Sequence, residues 1–276
     1  MQDKLIEFAP AKINLYLKIL NKRSDNFHNI LSGVTLVNLF DEIIVEDSTS
    51  FIIHYTGPFA PKSKIYRDCI LEKLFTLFKI PKPNLKFIIK KNIPVQGGMG
   101  SASTNAAAMF RILDKLHIYK IKNINETVKL SADLPLFLNQ KDCIVSGMGE
   151  KITEVFHPKY YFVVVKPLCN CSTKEMYELI SNNQNYKINN DSSANLNEFN
   201  AGNDFESIIS EEYKEISIVL NYLKSLNNVI FSRISGSGSC CYAAFKTKME
   251  AKEAEKNLSK QFPLLWNRLV ENNIRS

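Results

Sequence analysis

One segment constrains the fold of this chain more than any other: Ile93-Pro94-Val95-Gln96-Gly97-Gly98-Met99-Gly100-Ser101-Ala102-Ser103-Thr104-Asn105. It follows residues 85–90, rich in β-branched and aromatic side chains, which read as a strand. It precedes a stretch in which Ala106, Met109, Phe110, Leu113 and Leu116 recur at helical spacing with alanines between them. A strand thus passes into a helix through a glycine-rich turn. Glycine permits positive φ and close backbone approach, so successive amides can point at an anion beside the positive end of the helix. Ser103 and Thr104 add hydroxyls that could bind phosphate or magnesium, or could cap the helix. No Gly-Lys-Ser/Thr closes the loop as in a Walker A motif, and the spacing is not that of a dinucleotide fingerprint. Alone, it suits a phosphate cradle or an ordinary structural turn.

Elsewhere the first half reads as sheet. In residues 12–19, Ile13, Leu15, Leu17 and Ile19 alternate with Lys12, Asn14, Tyr16 and Lys18, the period of a half-buried strand that puts Lys12 and Asn14 on one face. Residues 34–39, 42–45 and 51–55 are further strand candidates. A second set of elements starts at residues 161–165, which implies lobes of residues 1–150 and 151–276. Residues 181–203, crowded with Asn, Ser and Asp, read as a surface loop or partly disordered insert without a chemical role. Strand-like runs 229–234 and 240–245 flank Ser235-Gly236-Ser237-Gly238-Ser239, and a charged helical tail follows from Met249.

Composition excludes several classes. A chain of 276 residues exceeds the usual single-domain size. No run approaches the ~18 apolar residues of a membrane span. The acidic, strand-like N-terminus is unlike a targeting peptide, so a cytoplasmic protein is expected. Six scattered cysteines form neither metal knuckles nor a disulfide framework. The formal charge of +7 suits RNA or a phosphorylated small molecule, or reflects a lysine-rich composition with no ligand behind it.

Three further segments add weight: Pro10-Ala11-Lys12-Ile13-Asn14-Leu15, Ser131-Ala132-Asp133-Leu134-Pro135-Leu136-Phe137, and the Ser235 to Ser239 turn. With the glycine loop, in this order and spacing, the chain resembles the GHMP kinases, the family of galactokinase, homoserine kinase and mevalonate kinase. Asn26-Phe27-His28, Gly147-Met148-Gly149-Glu150 and Gly202-Asn203-Asp204-Phe205-Glu206 narrow the resemblance to the branch acting on 4-diphosphocytidyl-2-C-methyl-D-erythritol. The resemblance implies a two-lobe α+β fold with an N-terminal ribosomal-protein-S5-like lobe and a C-terminal ferredoxin-like lobe. It implies ATP-dependent phosphorylation of that compound's 2-hydroxyl, within the methylerythritol phosphate route to isoprenoid precursors, by a monomer or homodimer that binds neither membrane nor nucleic acid.

The same resemblance assigns residues. ATP is expected over Pro94, Gln96, Gly97, Gly98, Met99, Gly100, Ser101, Ala102, Ser103 and Thr104, with Mg2+ whose protein ligand the sequence does not identify. Asp133 matches the base that accepts the hydroxyl proton, and Lys12 the cation that keeps Asp133 ionised and supports the moving phosphoryl. Read from the residues alone, Asp133 is a turn former and Lys12 part of a solvated strand face. Phe27, His28 and Tyr177 match positions that hold the cytosine; Asn14, Asn203, Gly236, Ser237 and Gly238 match further substrate contacts, though both asparagines could cap turns. Phe27 stands where tyrosine is usual, Ser101 and Ala102 replace Gly-Gly, and Ser131 replaces a glycine. Gln96 also replaces a glycine, placing a Cβ where an unusual backbone conformation is expected. Two alternatives remain: a GHMP kinase of homoserine or mevalonate type, and a non-catalytic RNA-binding protein.

Overall fold

The computed structural model of the protein describes residues 4–25, 27–61, 69–182 and 196–274. The chain forms two compact units, the first from Met1–Ala11, Leu39–Val95 and Gly100–Gln140, the second from Lys12–Asn38, Gln96–Met99 and Lys141–Ser276. These units do not follow one cut in the sequence near residue 150. The reason lies in two long strands, β1 (Ile6–Lys22) and β2 (His28–Asp47), each of which supplies residues to both.

The first unit continues with β3 (Ile52–Thr56), α1 (Ile70–Leu77), β4 (Leu85–Lys90), α2 (Ser101–Lys115) and α3 (Leu134–Asn139). The second half of β2 pairs antiparallel with β4, Glu42 opposite Lys90, and β3 joins β4 in parallel. Where the sequence suggests two strands, 34–39 and 42–45, one continuous strand runs through Phe40 and Asp41. Asp41 does not break it because its carboxylate is fully buried and satisfied. It accepts from the amides of Asn92 (2.6 Å) and Ile93 (2.8 Å), from Asn105 Nδ2 (3.0 Å) and from Lys91 Nζ. Helix α2 is buried almost throughout, and Ala106, Ala107 and Ala108 allow its backbone to pack closely. Glu7 of β1, buried, takes Arg111 and Lys115 of α2, each at 2.6 Å.

The second unit contains β5 (Cys143–Gly147), β6 (Lys151–Glu154), β7 (Tyr161–Lys166), α4 (Thr173–Asn182), α5 (Phe205–Glu212), α6 (Lys214–Lys224), β8 (Phe231–Ile234), β9 (Cys241–Phe245), α7 (Lys248–Gln261) and β10 (Trp266–Glu271). The first half of β2 pairs antiparallel with β5, and β5 with β6. A separate antiparallel sheet has the order β10-β7-β9-β8. Its core joins Val163, Val165, Ala243 and Phe245 to apolar positions of the helices, among them Ile209, Leu220, Leu223 and Leu258. Helix α7 opens with a capping box in which Thr247 and Glu250 bond each other's backbone amide. Strand β10 is invisible to periodicity because it is a sheet edge whose side chains are mostly half-exposed. Of the expected surface loop 181–203, the first two residues end α4, residues 183–195 lie outside the described ones, and Glu198, Ala201 and Asn203 are buried. The described end of that segment is therefore part of the packed unit. Among the described residues no helix is long and apolar enough to cross a membrane.

Candidate active site

In the second unit the glycine loop is fastened by its carbonyls. Those of Gln96, Gly97, Gly98 and Met99 accept, in turn, from Ser239 N (3.3 Å), Cys240 N (3.2 Å), Ser235 Oγ (2.9 Å) and Lys12 N (3.1 Å). The amides of Gly97, Gly98 and Met99 donate to no other described residue. A loop whose carbonyls are fixed in this way leaves its amides as candidate donors to an anion. The backbone demands glycine at one point above all: Gly98 has φ +72°, and a Cβ there would collide with the Ser235 carbonyl. Gln96 takes φ +51°, the unusual conformation its position implies, at a cost of about 1 kcal/mol. Its side chain is exposed, so no packing penalty is added.

In the first unit Gly100, at φ +73°, is the N-cap of α2, and no side chain caps the helix. The adjoining hydroxyls differ in availability. Ser101 Oγ bonds Lys91 Nζ at 2.5 Å, and Ser103 Oγ pairs with Ser131 Oγ at 2.7 Å. Thr104 Oγ1 is fully buried with no partner among the described residues, and Ala102 is exposed. Neither Ser103 nor Thr104 caps α2. Asp133 is the N-cap of α3 and half-buried; its carbonyl accepts from Phe137 N at 3.3 Å, while its carboxylate makes no cap bond.

Lys12 and Asn14 do not lie on a solvated strand face. Each is about 95% buried, as are the alternating apolar residues, so β1 is covered on both sides here. Lys12 Nζ donates to Asn14 Oδ1; Asn14 Nδ2 donates to Ser32 Oγ at 2.8 Å, and Ser32 Oγ to the Tyr16 carbonyl at 2.6 Å. Ser235 Oγ receives Asn14 N at 3.4 Å, and Tyr242 donates its hydroxyl to the Asn14 carbonyl at 2.8 Å. These groups converge on Gly236. A Cβ there would stand 3.1 Å from both Lys12 Nζ and the Gly98 carbonyl, and 3.2 Å from Asn14 Oδ1. The structure therefore gathers Lys12, Asn14, Gly98 and Gly236, four positions dispersed over the sequence. Ser237 Oγ pairs with Thr173 Oγ1 at 2.9 Å, and Gly238 lies against Cys171.

Of the expected base-reading group, His28 and Tyr177 stack with centroids 5.2 Å apart and planes at 14°. Tyr177 also meets Phe205 edge-on at 5.1 Å. Phe27 is 61% exposed, while Asn26 lies outside the described residues. Tyr177 therefore pairs with His28 and not with Phe27. Burial, then the positive charge of Lys22, holds the His28 pKa below its ordinary value, so the ring is neutral at pH 7. Asn203 is buried, with both amide hydrogens spent on carbonyls: Ile234 at 3.0 Å and Gly236 at 2.9 Å. Sequence reasoning named the Ser235 turn but not the Ser235 hydroxyl, and it missed Ser32 and the Asp41–Lys91 pair. Their partners are remote in sequence, and only pairing within the fold reveals them.

Models of the N-terminal domain and of the C-terminal part of GHMP kinases match residues 64–140 and 176–264. The chain is 32% identical over 267 residues to the 4-diphosphocytidyl-2-C-methyl-D-erythritol kinase of Francisella tularensis subsp. novicida (strain U112), covering 92% of this chain and 93% of that protein. It is also 32% identical over 243 residues to the kinase of the same name from Thermosipho melanesiensis (strain DSM 12029 / CIP 104789 / BI429), covering 84% and 87%. A crystal structure of 4-(cytidine 5'-diphospho)-2C-methyl-D-erythritol kinase superposes with a TM-score of 0.78 at 22% identity, over 96% of this chain and 99% of that one. Mevalonate kinase of Methanococcus jannaschii shares the fold more distantly, with a TM-score of 0.60 at 14% identity over 99% of each chain. Two-lobe α+β architecture, matching family models and relatives aligned over nearly the full length agree: the chain belongs to the 4-diphosphocytidyl-2-C-methyl-D-erythritol kinases, a branch of the GHMP kinases.

Proposed function

We propose that this protein transfers the γ-phosphoryl group of ATP to the 2-hydroxyl of 4-diphosphocytidyl-2-C-methyl-D-erythritol. The observation that carries the reading is the glycine loop itself. Its four consecutive carbonyls are tied down while the amides of Gly97, Gly98 and Met99 remain as donors, which suits the oxygens of a triphosphate. Phosphoryl transfer asks a protein chiefly for positioning and for charge opposite the moving group. Lys12, buried and oriented by Asn14, supplies a cation with little freedom to move. Asp133, at the N-cap of α3, takes the proton of the attacking hydroxyl. Phe27 offers an exposed ring for cytosine to stack on, and neutral His28 a ring nitrogen for its polar edge.

Mg2+ completes the reading by neutralising phosphate charge. Among the described residues no group of three His, Cys, Asp or Glu side chains is arranged to hold a metal, and such an ion would supply its charge to the ATP phosphates when bound with them. A boundary between the family's two lobes near residue 150 is part of this proposal, supported by matched segments that lie on either side of it, 64–140 and 176–264. A cytoplasmic monomer or homodimer that does not bind RNA belongs to the same proposal. The test supplies purified protein with ATP-Mg2+ and, separately, the cytidyl compound, homoserine and mevalonate. The cytidyl compound is expected to be the one phosphorylated; preference for an alcohol without a nucleotide overturns the assignment.

A further inference from the structure

We infer that Asn203 and Glu206 are positioning residues that hold the Ser235 to Ser239 turn, and through it the glycine loop, in register with β1. The inference rests on the proposed role of that loop in binding ATP. It concerns a motif, Gly202-Asn203-Asp204-Phe205-Glu206, whose asparagine the sequence suggests as a substrate contact.

The polar side chains of the motif reach backbone of the unit's own strands. Segment and strand are joined by a parallel bridge between Leu17 and Asn203: Leu17 N donates to the Gly202 carbonyl at 3.0 Å, and Asp204 N to the Leu17 carbonyl at 2.9 Å. Asp204 then accepts from Ile19 N at 2.8 Å and from Lys18 Nζ at 2.6 Å. On the other side, Ile234 ends β8 just before the turn. Its amide donates to Glu206 Oε1 at 3.0 Å, and its carbonyl accepts from Asn203 Nδ2 at 3.0 Å. Asn203 Nδ2 also holds the Gly236 carbonyl at 2.9 Å, while Asn203 Oδ1 accepts from Phe205 N at 3.0 Å.

The turn passes this constraint on. Ser235 Oγ meets the Gly98 carbonyl and Asn14 N, Ser239 N meets the Gln96 carbonyl, and Cys240 N meets the Gly97 carbonyl. If Asn203 releases Gly236, the partner surface for three of the four loop carbonyls loses its anchor. Burial opposes the ionisation of Glu206 and raises its pKa, against the Ile234 amide and the charges of Lys224 and Arg233, a cost that an aliphatic residue would avoid. A carboxylate there serves to fix the Ile234 amide. Displacements of about 1 Å are enough to cost roughly a hundredfold in positioning-dependent catalysis.

The experiment compares the wild-type chain with Asn203→Ala, Glu206→Ala and Glu206→Gln, with Asn203→Ser as the substitute should Asn203→Ala not fold. It measures kcat, both KM values, thermal unfolding, and calorimetric binding of a non-hydrolysable ATP analogue. The two alanine variants are expected to lower kcat and raise KM for ATP by about tenfold or more, to weaken analogue binding in parallel, and to leave KM for the cytidyl compound within about twofold. Glu206→Gln, which retains an acceptor for Ile234 N, is expected to behave like the wild type. A rise confined to KM for the cytidyl compound makes Asn203 a direct substrate contact and overturns the inference. So does a lowered unfolding temperature with unchanged kinetics. If the wild type neither phosphorylates the cytidyl compound nor binds the analogue, the proposed function falls, and this inference with it.

Discussion

Lys12 lies on a strand whose alternation of polar and apolar residues promises one wet face, yet it is buried with its ammonium directed at Asn14. A buried ammonium is costly unless it has partners and a task, which strengthens its case as the cation for the moving phosphoryl. Lys12→Ala and Asp133→Asn should each lower kcat by about 10²–10⁴-fold in steady-state assays, with KM for the cytidyl compound little changed. Near-normal turnover in Asp133→Asn would replace the base by positioning alone. His28 yields a prediction with a definite sign. Its folded pKa is held below the ordinary 6.5, so on acidification the unfolded chain takes up its proton first. The stability that neutral His28 allows is complete above pH 6.5 and is lost as pH falls through the folded pKa. Thermal unfolding and KM for the cytidyl compound should both worsen over that interval, and His28→Phe should flatten the unfolding profile.

Among the elements, the glycine loop and the Ser235 to Ser239 turn behave as one device, because the carbonyls of the first are hydrogen-bonded by donors of the second. Gly98→Ala tests this. At φ +72° and with the Ser235 carbonyl in the path of a Cβ, it should cost more than about 1 kcal/mol in denaturant unfolding and abolish detectable ATP binding. Gln96→Gly, which removes a strained φ from an exposed residue, should retain ATP binding. Thr247→Ala supplies a contrast at an element end remote in sequence from both motifs. Loss of the α7 capping box should cost about 1 kcal/mol of stability while leaving kcat and both KM values unchanged. If it alters kinetics, α7 is coupled to the site in a way its hydrogen bonds do not explain.

At the scale of the whole molecule, the formal charge of +7 favours both anionic substrates of the proposed reaction. Raising ionic strength should raise both KM values with little change in kcat, since screening weakens encounter more than chemistry. RNA titrated into the protein should show no salt-sensitive tight binding; such binding would revive a nucleic-acid role. What the sequence by itself determined is local. Residues 85–116 spell strand, glycine turn and helix through periodicity and glycine conformation, and the short motifs carry the family and its α+β class. What only the tertiary structure decided is non-local. Asn14 meets Ser235 across 221 residues and Gly98 meets Ser235 across 137, so that Lys12 becomes buried and Asn203 is committed to the Gly236 carbonyl. Edge strand β10, the continuation of β2 through Asp41 and the buried end of the Asn-rich segment were illegible for the same reason. Hydrogen-bond partners brought together by folding leave no periodic trace in either segment, whereas a helix or a glycine turn is written in consecutive residues.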